Sequence, residues 1–175
     1  MDKIQFRGLS RKEWNCRQVQ DVVQFFLFEC PASGASRAGK DFSDYGWAGT
    51  YFSTLKAELI FVAGNGFNYL PCAKKELENW LTQYPPNKST QEYAIFLKHD
   101  EKRVLESLFK AVRNAIAHGS FVRYAQSKTV YYYFENVDGY VKARINIKES
   151  TLLLWSKIIQ ENPESVRNRV KSRNA

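Results

Sequence analysis

The sequence predicts a mainly α protein: a helical bundle with one β-hairpin set between its best amphipathic helix and its last helix. Three observations carry that expectation. Apolar residues recur at three- and four-residue spacing through most of the chain, with Val104, Leu108, Val112 and Ile116 the cleanest series. Strand-like alternation around a tight-turn signal is confined to the stretch after residue 128. Caps and breakers fall at helix-sized intervals. A chain of 175 residues, 44% of them apolar, suits one domain. We place it at residues 1–163, followed by a basic tail at 164–175.

Taken in order, residues 1–9 form a short arm. Ser10 and Glu13 make a capping box, which opens a helix running to about Phe28. The run Val22–Phe28 is also compatible with a buried strand, but the upstream spacing favours helix. Residues 31–44 read as a loop, small, polar and rich in Gly and Ser. A second helix spans about Trp47 to Ala63, with Tyr51, Leu55, Leu59 and Val62 on one side and Gly64 and Gly66 ending it. Pro71 can open a third helix carrying Leu77, Trp80 and Leu81, which Pro85-Pro86 stops. Ser89 with Glu92 caps a short helical segment through Phe96, and Asp100 caps the central helix. The hairpin pairs Thr129–Phe134 with Tyr140–Ile147 about Asp138-Gly139. Tyr131 and Tyr133 share one of its faces and Tyr132 and Phe134 the other, so one pair at most is exposed. Ser150 leads into the last helix, Pro163 breaks it, and the basic tail frays.

Composition narrows the function classes. The formal charge of +8 favours polyanionic partners, nucleic acid or an acidic membrane surface; about half the excess lies in Arg167, Arg169, Lys171 and Arg173. Cys16, Cys30 and Cys72 are odd in number, far apart and without nearby His, which argues against a disulfide framework or a zinc site. No targeting segment and no membrane span is legible, so a reduced, cytoplasmic setting is expected. Residues Gly34 to Asp41 approach a phosphate-cradling Gly-rich loop, but Asp41 stands where that loop needs a magnesium-binding hydroxyl, and a carboxylate there repels phosphate.

Candidate chemistry gathers at the end of the central helix, in Arg113-Asn114-Ala115-Ile116-Ala117-His118-Gly119. On a helical wheel the apolar series and its neighbours Leu105 and Phe109 must face a core. Lys110, Arg113, Asn114, Ala117 and His118 then project outward, where packing does not require them. The plain alternative is that His118 caps the helix, with Gly119 as the left-handed residue beyond it and Arg113 an ordinary solvated side chain.

An Arg followed by Asn, then His after three further residues, at the end of an amphipathic helix in a basic chain, resembles the HEPN superfamily (higher eukaryotes and prokaryotes nucleotide-binding domain). The resemblance covers about residues 100–160. It implies a HEPN-like helical bundle and a metal-independent, cofactor-free endoribonuclease that acts as a homodimer, in the setting of a toxin or antiviral defence effector with a possible antitoxin or regulatory protein. His118 would then serve as general base or acid at a ribose 2′-OH, Arg113 would stabilise charge on the phosphorane, and Asn114 would orient one of them or touch phosphate. Products would carry 2′,3′-cyclic phosphate and 5′-OH ends. Arg113 and His118 lie about 140° apart around one helix, so two helices meeting about a twofold axis would complete one cleft. Some HEPN toxins carry a tyrosine two residues after the His that a partner enzyme modifies; Ser120 stands there in this chain.

Lys110, Arg123 and Tyr124 are the remaining candidates for RNA contact, with core packing the competing role for Phe121 and Tyr124. His99 has no neighbour in sequence that suggests catalysis. Two other functions stay open at this stage: a HEPN-fold RNA- or nucleotide-binding module that does not cut, and a helical interaction protein steered by its basic tail.

Overall fold

A five-stranded mixed sheet occupies the middle of the molecule, with helices on both its faces. This corrects the expected mainly α bundle: the chain has an α/β fold. The computed structural model describes residues 3–32, 39–99 and 103–173. In chain order the elements are α1 (Arg11–Trp14), α2 (Arg17–Gln24) continued by a π-helical turn (Phe25–Glu29), α3 (Thr50–Ala63), β1 (Asn68–Cys72), α4 (Lys74–Gln83), β2 (Tyr93–Leu97), α5 (Val104–Ala117), β3 (Phe121–Gln126), β4 (Thr129–Asp138), β5 (Tyr140–Lys148), α6 (Glu149–Gln160) and α7 (Pro163–Arg173). The strand order is β1-β2-β5-β4-β3, with β1 and β2 parallel and every other pair antiparallel. No described helix is long and apolar enough to cross a membrane.

Several sequence expectations hold. Ser10 and Glu13 form the capping box, with Glu13 Oε2 accepting from the Ser10 N–H at 2.8 Å. The β4–β5 hairpin turns at Gly139, whose φ of +72° suits a residue without a Cβ. The three described cysteines are free thiols.

Four segments differ, each for a physical reason. Tyr93–Leu97, expected within a short helical segment, is an inner strand buried on both faces, so its apolar run carries no period of its own. Pro71 opens no helix; it sits in the edge strand β1, where a missing N–H is tolerated, and α4 begins three residues later with Glu76 capping the Ala73 N–H at 3.0 Å. Strand β3 escaped the sequence reading because its turn into β4 uses Ser127 and Lys128, both at positive φ (50° and 65°), instead of Asn or Gly. The segment expected to fray after Pro163 is helix α7, with Pro163 as its first residue, the place where a missing N–H costs least. It docks on α3: Val166 is fully buried, and Arg169 and Arg173 both bond the buried carboxylate of Glu58.

The sheet is covered twice. Tyr132 and Phe134 face the main helical layer, while Tyr131 and Tyr133 lie under Ile4 of the N-terminal arm. All four rings are buried, so neither hairpin pair offers a stacking platform. Helix α5 is wedged into the main layer by Phe109, whose ring meets Phe26 and Phe42 at 5.7 Å and Trp155 at 5.8 Å. That wedge fixes which side of α5 looks outward.

Candidate functional site

The buried stripe of α5 runs through Val104, Leu105, Leu108, Phe109, Val112 and Ile116. Opposite it lie Arg103, Lys110, Ala117 and His118, all exposed, with Arg113 and Asn114 half-buried between them. His118 is the C-cap residue, and its N–H donates to Asn114 O at 3.0 Å. Gly119 follows at φ +69°, and the Ser120 N–H reaches back to Ala115 O at 2.8 Å. The chain then enters β3, and Ser120 O accepts from the Glu135 N–H at 2.9 Å. The imidazole therefore stands at a junction pinned by both helix and sheet, open to solvent.

Arg113 has an unusual environment. Its Nη1 donates to Asn114 Oδ1 at 3.1 Å, while its buried Nε finds no acceptor. Among the described residues it has no carboxylate partner. The other half-buried or buried arginines all have one: Arg123 pairs with Glu149, Arg144 with Glu135 and Arg167 with Glu164. Cys30 is fully buried beside Arg113: burial pushes its thiol far above the ordinary range, and the Arg113 guanidinium pulls the other way. A neutral thiol cannot balance a guanidinium, so among the described residues the charge on Arg113 has no counterpart.

Sequence reasoning missed one neighbour. Asp138, at the hairpin tip, has its carboxyl held below the usual range first by the hydrogen bond from Lys142, then by the Lys142 charge, and least by the nearby His118. The Asp138-Gly139 turn signal was visible, but nothing in it says that the tip returns to the end of α5.

The structure does not bring the other candidates together. Lys110 is exposed on the outward face of α5 and lines a small concavity of about 120 Å³ with His99, Arg103, Glu106 and Ser107. Arg123 makes a two-pronged bond to Glu149, at 2.7 and 3.1 Å, which raises its pKa and occupies its fork. Tyr124 is buried on the far face of the sheet; its hydroxyl accepts from the Ser89 N–H at 3.1 Å and donates toward Asn146 Oδ1 at 2.6 Å. Tyr124 thus staples the approach to β2 and presents no free ring to a base.

Most of the Gly-rich segment and Asp100 lie outside the described residues. Asp41, at the segment's end, has its carboxylate engaged by the N–H and hydroxyl of Ser43 at 2.7 and 2.5 Å, which closes a turn. Among the described residues no group of three or more His, Cys, Asp or Glu side chains gathers where a metal ion would bind. No protein-family model, no curated protein and no solved structure matches the chain.

Proposed function

We propose that the outward face of α5 is an RNA-cutting site, with Arg113 as the anion-binding group, His118 as the proton-transfer group and Asn114 as the residue that aims the guanidinium. One observation carries this reading: among the described residues, Arg113 is the half-buried arginine left without a carboxylate. A guanidinium held between core and surface, with donors unused, suits an anion that offers two neighbouring oxygens, and the non-bridging oxygens of a phosphodiester supply them.

On such a substrate His118 removes the proton of the ribose 2′-OH. The 2′-oxygen attacks phosphorus, the bond to the 5′-oxygen breaks, and an imidazolium returns the proton to that leaving oxygen. Arg113 stabilises the charge that builds on the non-bridging oxygens. Products carry 2′,3′-cyclic phosphate and 5′-OH ends, and DNA, which lacks the nucleophile, stays intact. Along α5, Arg113 and His118 stand about 7.5 Å apart and point about 140° away from each other. A second copy of the chain supplies the missing half of the site, and the exposed methyl of Ala117 lets a second helix approach closely.

The test is cleavage of end-labelled RNA in EDTA by the wild type and by His118→Ala. The wild type should cut and leave cyclic-phosphate ends, while His118→Ala binds without cutting. Products ending in 3′-OH, or a requirement for a divalent ion, would overturn the mechanism.

A further inference from the structure

At the N-terminal end of α5 lies a cavity of about 450 Å³ that the cutting chemistry does not use. Its floor is aromatic, from Phe42, Trp47 and Phe52, and its wall carries Arg103, Glu106 and Asp41, the last with one carboxylate oxygen already taken by Ser43. Phe42 and Trp47 are almost wholly buried, whereas Phe52 is half-buried, so one ring is available to a guest while the others hold the floor rigid. Phe52 is itself braced edge-on by Phe42, with ring centroids 5.2 Å apart. The Glu106 side chain is only 18% exposed, and its contact with Arg103, at 3.6 Å, is longer than a hydrogen bond. Its carboxylate therefore keeps acceptor capacity toward the cavity.

The cavity lies on the same outward face of α5 as the proposed cutting residues. Arg103 and Glu106 also line the concavity that holds Lys110, and Arg113 follows Lys110 by one turn. From Arg103 to Arg113 the helix rises ~15 Å, a span that a few nucleotides of extended single strand cover.

We propose that this cavity takes a guanine base of the RNA strand, a few nucleotides from the scissile phosphate; the inference rests on the reading of α5 as the RNA-cutting helix. Guanine is the base whose pairing edge sets two adjacent N–H donors beside a carbonyl oxygen. A carboxylate accepts the two donors together, and a neighbouring guanidinium meets the carbonyl oxygen and N7. Adenine and cytosine present a ring-nitrogen acceptor to the carboxylate, and uracil a single donor between two carbonyls. The base plane stacks on Phe52, as unpaired bases do on aromatic rings.

Titration of the protein with 5′-GMP, 5′-AMP, 5′-CMP and 5′-UMP, followed by calorimetry, separates this proposal from the function it rests on. The wild type should bind 5′-GMP about tenfold or more tightly than the other three. Glu106→Gln should bring all four to similar affinity without moving the thermal midpoint, and Phe52→Leu should weaken all four alike. In RNA, wild-type cuts should fall at a fixed offset from a G, and Glu106→Gln should lose that dependence. Equal affinities in the wild type, or a guanine preference that survives Glu106→Gln, would overturn the pocket. Guanine preference without RNA cutting supports the pocket and sinks the nuclease reading, whereas cutting with no guanine dependence sinks the pocket alone.

Discussion

Two arginines on opposite sides of the sheet show how differently one residue type can be used. Arg144, on β5, is 7% exposed. Its Nε bonds Glu135 at 2.8 Å, and its Nη1 caps the end of α4 through Leu81 O and Tyr84 O at 2.9 and 2.8 Å. Glu135 is further held by the Tyr133 hydroxyl at 2.6 Å. Arg113, on α5, bonds a neutral amide oxygen and has no carboxylate partner among the described residues. The first arginine is part of the architecture; the second has no carboxylate among the described residues, and on the proposed reading its charge is kept for a substrate. The difference also tempers the net charge of +8, since Arg169 and Arg173 of the basic C-terminal segment are spent on Glu58. Which cations are left uncompensated is more informative than how many there are.

The contrast can be broken from either side. The largest effect is expected for Glu135→Ala, which strands the Arg144 charge in a buried site. Urea denaturation should show a loss of about 3–5 kcal/mol, and a loss below about 1 kcal/mol would mean that Arg144 is not held by that carboxylate. Arg113→Ala should do the reverse. RNA cleavage falls about 10²–10³-fold, while stability stays within about 1 kcal/mol of wild type; a large stability loss with cleavage intact would place Arg113 in the architecture after all. A gentler probe is inorganic phosphate. At ten times its Kd it should stabilise the wild type by ~1.4 kcal/mol in thermal melts, and Arg113→Ala should abolish that gain while Arg11→Ala, a change at an exposed site on α1, keeps it.

The smallest effect concerns Glu13. Partial burial opposes its ionisation, but hydrogen bonds from Arg7 and Ser10, helped by the charge of Arg7, hold its pKa down at about 2 instead of 4.5. A carboxyl lowered on folding stabilises above its unfolded pKa, and that contribution fades as pH falls from about 4.5 toward 2. Amide exchange at the start of α1 should quicken over that window, and Glu13→Gln should remove the pH dependence.

Much of this was legible in the sequence because it is local. The periodicity of α5, the capping box at Ser10 and the turn at Gly139 all depend on residues a few positions apart. What failed was non-local. Tyr93–Leu97 becomes a strand because β1 and β5 flank it, and α7 is ordered by Glu58 from a distant helix. The position of Arg113 and His118 could be read, but the absence of a carboxylate beside Arg113, the return of Asp138 to His118, and the cavity beneath Arg103 depend on how separate segments meet.

The strand order carries a consequence for biosynthesis. β2 finds its antiparallel neighbour only in β5, so Tyr93 waits for Asn146 and Phe96 for Ala143. Helix α5 lies between those two strands in the chain and leaves the ribosome before the sheet beneath it can close. A nascent or truncated chain that stops short of residue 140 therefore carries Arg113 and His118 on an unsupported helix. On the proposed reading such a chain should not cut RNA, because the helix that presents both side chains gains its sheet support only after β5 has been made.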